Sequence, residues 1–145
     1  MIIPPLFEFG NLTVADAGIA GNERIVVRPT ESVNLAQYAI ILGWRDANGI
    51  TIPLDYYLFW AGDMIVKPPC WIVVYTGRGQ PKCEAQNGQS VYFFYWGRES
   101  TVFNCRESIP LLVKFAGIQF GTHLNQLPTF EELMAKAKGL ASPNA

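Results

Sequence analysis

Apolar and polar positions alternate with period two along most of this chain, a spacing that predicts strands. The clearest case is Trp71, Val73 and Tyr75 alternating with Ile72, Val74 and Thr76. That run is entered through Pro68-Pro69, which cannot continue a sheet ladder, and left through Gly77-Arg78-Gly79. The same reading predicts strands at Leu12–Ala15, Glu23–Arg28, Val33–Leu42, Ile50–Leu54, Met64–Val66, Ser90–Trp96, Thr101–Asn104, Ile109–Phe115 and, briefly, Ile118–Phe120. Between them stand Pro29–Ser32, the hairpin signal Asn48-Gly49, the long polar loop Gly77–Gln89, Gly97–Ser100 and Cys105–Ser108. Turn signals every eight to twelve residues or so indicate an all-β sandwich. No helical period appears before Leu127, which excludes βαβ units.

One helix is predicted, at the end. Thr129 is a good N-cap, and Glu132 completes a T-x-x-E capping box. Phe130, Leu133, Met134 and Ala137 share a face, and Gly139 suits the position just past the last turn. A helix of about ten residues is unstable alone, so it must dock on the sandwich or on a partner. The chain therefore divides into a sandwich, 1–122, and a helical extension, 123–145.

Aromatic clustering is the strongest functional lead. Tyr56, Tyr57, Phe59 and Trp60 crowd a connection, Asp55–Gly62, that fits no single element. Either it lies between sandwich and helix, or it offers rings to a partner. The block Tyr92–Trp96 is expected to fill the interior on one face and an interface on the other. Tyr38, Trp71 and Phe103 are large enough to dominate the inter-sheet core. Leu35 and Tyr38 would point to opposite faces of a regular strand, so one of them or a bulge must break the pattern.

Hydrophobic residues make up 50% of the 145 positions and charged residues 16%, against about 25% in ordinary soluble domains. Either the core is large or a partner covers apolar surface. The net charge of −1 comes without a basic run, so the footprint of a dedicated nucleic-acid binder is missing. Cys70, Cys83 and Cys105 are an odd set with no C-x-x-C spacing, read as three reduced thiols. No signal-peptide pattern and no apolar run of membrane-spanning length stands out. The expectation is a cytoplasmic protein without membrane contact.

Catalytic patterns are weak. His123, the single histidine, lies in a loop context, GTHLN, and reads as a surface residue. Pairing Cys70 with His123 would need two distant segments and a third orienting group. Gly77-Arg78-Gly79 lacks the spacing of a phosphate loop and no helix follows it. Glu131-Glu132 answer the helix dipole. Asp46, Asp55 and Asp63 have no regular calcium-site spacing. No catalytic residue, cofactor or metal is assigned.

The order of pieces resembles a known family. Glu23-Arg24-Ile25-Val26-Val27 precedes Val33-Asn34-Leu35-Ala36-Gln37-Tyr38. Pro68-Pro69 then precedes Trp71-Ile72-Val73-Val74, and Thr101-Val102-Phe103-Asn104 precedes Ile109–Val113 and Gly117. This sequence of motifs, over about Leu12 to Phe120, is similar to the lamin tail domain of nuclear lamins and many bacterial proteins. Arg28-Pro29, Gln37-Tyr38, Pro69-Cys70 and Phe103 depart from the family's Asn, Gly-Trp, Pro-Gly and Trp. The resemblance implies an immunoglobulin-like antiparallel β-sandwich, here with a short C-terminal α-helix. It also implies an interaction module rather than an enzyme, binding a protein partner or itself as a homodimer. The candidate contact residues are Tyr56, Tyr57, Trp60 and Arg78. Alternatives are a carbohydrate-binding module stacking sugars on Tyr56, Tyr57 or Trp60, and a weak nucleic-acid binder using Arg78, Lys82, Arg98 and Arg106.

Overall fold

The structure is a computed structural model describing residues 3–49 and 51–141, with the side chains at 52, 54–57, 140 and 141 outside that description. Ten strands and one α-helix follow in order: β1 Phe9–Ala15, β2 Arg24–Pro29, β3 Val33–Asn34, β4 Tyr38–Arg45, β5 Thr51–Phe59, β6 Ile65–Val66, β7 Cys70–Tyr75, β8 Lys82–Gln86, β9 Gln89–Tyr95, β10 Ser108–Lys114 and α1 Phe130–Ala141. The five-stranded sheet has the order β1-β2-β7-β9-β8, the three-stranded sheet β10-β4-β5, and β3 pairs with β6. The chain is therefore all-β with one short C-terminal helix. The expectation of purely antiparallel sheets needs correction, because β7 and β9 run parallel. The chain between them leaves the sheet, turns back through β8 and enters β9 in the direction of β7.

The core lies between the two larger sheets. Ile25 and Val27 of β2, Ile72 and Val74 of β7 and Phe94 of β9 meet Tyr38, Ile40 and Leu42 of β4. A small recess of about 30 Å³, open on one side, is walled by residues such as Val27, Leu35, Ile40, Phe59 and Val74. Its apolar lining offers a water no partners.

Four local predictions change, and the first is that Ile118–Phe120 forms no strand. Val33–Leu42 is not one strand: a 3-10 turn, Leu35–Gln37, divides β3 from β4. Asn34 caps that turn by accepting from the Ala36 N–H, 2.9 Å. The turn removes the conflict between Leu35 and Tyr38, and both are buried in the core. Trp71 lies on the outer face of the five-stranded sheet, half-buried, because Cys70, Ile72 and Val74 take the inward phase. The run 101–104 forms no strand; it is an irregular crossover from β9 to β10.

That crossover is held by Glu23, which is 1% exposed just before β2. Its Oε1 accepts from the Thr76 hydroxyl (2.8 Å) and the Val102 N–H (2.6 Å). Its Oε2 accepts from the N–H groups of Gly18 (2.7 Å) and Phe103 (3.0 Å). One carboxylate thus joins the β1–β2 loop, the end of β7 and the crossover, and seats Phe103 in the core at 3% exposure. Among the described residues no buried side-chain polar atom lacks a hydrogen-bond partner.

Removing an acceptor from buried donors costs more than the net value of the bonds. Glu23→Ala is expected to lower unfolding stability by about 3 kcal/mol, and Glu23→Gln by about half of that. Urea denaturation followed by tryptophan fluorescence checks both. A Glu23→Ala loss below about 1 kcal/mol would show that the loops hold without the carboxylate.

Candidate interaction surface

Three surfaces expose chemistry to solvent: the outer face of the five-stranded sheet, the outer face of the three-stranded sheet, and the C-terminal arm.

On the five-stranded sheet, register places Arg24 beside Tyr75 and Lys82 beside Phe93. The Arg24 guanidinium lies 5.9 Å from the Tyr75 ring centre and Lys82 5.1 Å from that of Phe93. Tyr75 stacks on Phe93 at 6.4 Å and on Tyr95 at 5.4 Å. The guanidinium of Arg28 covers Trp71 at 5.5 Å. A Cβ at Gly79 would collide with the Tyr95 ring, so the backbone there lies against the ring. Cations and neighbouring rings thus already contact these aromatic faces.

Two of these cations, and Arg78 beyond the end of β7, are also paired with acids. Arg24 bonds Asp16 (2.7 Å), Lys82 bonds Glu84 (2.9 Å), and Arg78 bonds Glu99 (3.1 Å). The Lys82–Glu84 bond raises the ammonium and lowers the carboxyl from their ordinary values. This self-neutralised face is a poor platform for a polyanion.

The sequence-predicted contact residues do not converge. Arg78 follows β7 and lines an open polar cleft of about 390 Å³ with Arg98, Glu99, Ser100 and Thr101. Trp60 follows β5 at the other sheet, 49% exposed, its indole N–H donating to the Ala36 carbonyl at 2.9 Å. Tyr56 and Tyr57 belong to β5, so the aromatic connection is a strand; their side chains lie outside the described residues. Phe59 turns inward against Phe94 and Trp96. Cys70 is fully buried, which pushes its thiol up, whereas His123 is exposed. Asp46 caps the β4–β5 turn through the Asn48 N–H, and Asp63 accepts from the Asn34 amide. Among the described residues no cluster of metal-ligating side chains occurs, and all three cysteines are unpaired.

The surface that sequence reading underrated is the arm. From Ala116 to Gly139 every residue is exposed. Ile118, Phe120, Leu124 and Leu127 lead into α1, where Phe130 is 76% exposed and Leu133 and Met134 about half exposed. The capping box forms as expected: the Glu132 N–H donates to the Thr129 hydroxyl, 3.1 Å, and the Thr129 N–H donates to Glu132, 3.4 Å. Gly139 does not end the helix, which continues to Ala141. The sandwich does not cover this helix. The signal was present in the sequence as an amphipathic face with nothing assigned to pack on it.

The second exposed apolar surface belongs to the three-stranded sheet. Tyr38, Ile40, Leu42 and Leu112 point to the core. The opposite phase is Ile41 on β4, Ile109, Leu111 and Val113 on β10, and Leu58 on β5. Leu58 is 54% exposed and the others half-buried. Leu111 lies over Gly43, where a Cβ would meet it at 2.6 Å. This sheet is apolar on both faces, the pattern of a sheet covered on both sides.

Where the arm leaves the sandwich, Glu8 ties β1 to β4 and β10. It accepts from the Tyr38 hydroxyl at 2.5 Å and pairs with Lys114 at 3.2 Å. Phe9 meets the Tyr38 ring edge-on at 4.8 Å. The Tyr38 bond, with Lys114 adding, holds the Glu8 carboxyl down to about 2, and burial with the nearby carboxylate pushes the Tyr38 hydroxyl up.

No family profile, no curated protein and no solved structure matches the chain. No helix among the described residues is long and apolar enough to cross a membrane.

A carboxyl depressed in the folded state stabilises above its unfolded value, near 4.3, and that contribution disappears as pH falls toward 2. Wild-type protein is expected to lose thermal stability between about pH 5 and about pH 2.5. Glu8→Gln should lose less over the same interval. Parallel melting curves at the two pH values would show the difference, and identical losses would remove Glu8 from the acid response.

Proposed function

We propose that this chain is a non-catalytic interaction module that associates with copies of itself. The observation that carries the reading is the arm, 116–139, whose apolar side chains and helix face are all in solvent. An isolated helix of this length is marginal in water. Contiguous exposed apolar surface of this kind marks a protein contact. The low charged fraction, 16%, agrees with apolar surface reserved for a partner.

We also propose the immunoglobulin-like, lamin-tail type of sandwich as the scaffold. Two sheets sharing one core support it, as do the tasks of the motif residues: Glu23 holds the crossover, and Tyr38 and Phe103 fill the core. Three unpaired thiols support a reducing compartment such as the cytoplasm. A carbohydrate-binding reading would rest on Trp60, whose ring is half exposed and fixed in orientation by its bond to Ala36.

Sedimentation of the full chain at micromolar concentration is expected to give a mass above the monomer. The double change Leu133→Asp and Met134→Asp should return it to the monomer with the sandwich still folded. A monomer mass for the wild type at every concentration would overturn self-association. Quenching of tryptophan fluorescence by soluble glycans, abolished by Trp60→Ala, would favour the carbohydrate reading instead.

A further inference from the structure

We propose that the receptor for the arm is the outer face of the three-stranded sheet on a second copy, so that two chains exchange arms. This rests on the self-association reading above and names its surface. Among the described residues, two apolar surfaces have no element packed on them: the exposed α1 face of Phe130, Leu133 and Met134, and the sheet face where Leu58 is exposed and Ile41 and Leu111 are half-buried. An amphipathic helix laid on an apolar sheet face is a standard two-layer solution. Each surface lacks what the other supplies.

Reach and area fit a second copy. The arm leaves at the end of β10, on the receptor sheet itself, and fifteen residues separate Lys114 from Phe130. Extended, that segment spans about 50 Å, enough to cross to a neighbouring domain. The exposed side chains of the α1 face, Phe130, Leu133 and Met134, amount to roughly 350 Å². Two exchanged helices, each with the sheet area it covers, bury roughly 1,400 Å², within the range of about 1,200–2,000 Å² of a specific interface. Exchange of identical segments closes a two-fold dimer.

The experiment is a complementation by mixing. Leu58→Glu spoils the receptor face at an exposed position. Leu133→Asp with Met134→Asp spoils the arm. Each variant alone is expected to weaken dimerisation at least tenfold by sedimentation equilibrium. An equimolar mixture is expected to form a heterodimer through one intact arm and one intact face. Ile109→Lys, on the same face of β10, serves if Leu58→Glu does not fold, as judged by its melting curve. If the wild type dimerises and the receptor-face variants dimerise equally well, the proposal fails while self-association stands, with helix pairing on helix. If the mixture stays monomeric while each variant is folded, arm exchange also fails. A wild type that is monomeric throughout overturns both readings.

Discussion

A single buried carboxylate determines how this chain closes. A strand can leave one sheet and enter the facing one only if the segment between them is satisfied in its backbone polarity, since buried N–H groups without acceptors are costly. Beyond Arg98, whose N–H bonds the Thr76 carbonyl, the crossover from β9 to β10 has no ladder to join. Glu23 supplies the acceptors instead, taking the Val102 and Phe103 N–H groups on separate oxygens while binding Thr76 and Gly18. Phe103 is seated in the core as a consequence, and β10 is delivered to the edge of β4. The apolar face and the arm that follow both depend on that delivery.

The second constraint is a surplus of apolar surface. The three-stranded sheet places apolar side chains on both faces, but the five-stranded sheet covers only one of them. On the five-stranded sheet the equivalent surplus is resolved within the chain. Arginine and lysine side chains lie over the rings, acids pair with most of those cations, and rings stack on rings. Among the described residues no such self-coverage exists on the Ile41–Leu58 face or on α1. The molecule therefore has one finished exterior and one that calls for a matching surface, and the arm is tethered at the strand where that need begins.

Most strands were legible because period-two runs between turn residues have few alternative readings. β8 was not. Lys82–Gln86 contains no β-branched or aromatic residue, and it reads as polar loop. It becomes a strand because Asn87 and Gly88, at φ 53° and 77°, turn the chain back along β9. The 3-10 turn at Leu35–Gln37 was foreshadowed by the clash of phase between Leu35 and Tyr38. Of the proposed contact residues, Trp60 was found by composition. Arg78 was singled out for its glycine neighbours, and in the fold it pairs with Glu99.

The sequence by itself determined the β class, the hairpin at Asn48-Gly49, and the capping box of the terminal helix, because these follow from local backbone preference and periodicity. Which phase of each strand faces inward was decided only in three dimensions. Trp71 and Ile72 are equally apolar to a pattern, and opposing sheets choose between them. The same holds for Glu23. Its four donors come from as far as 80 positions along the chain, and no local spacing announces a contact that exists only once the loops have met.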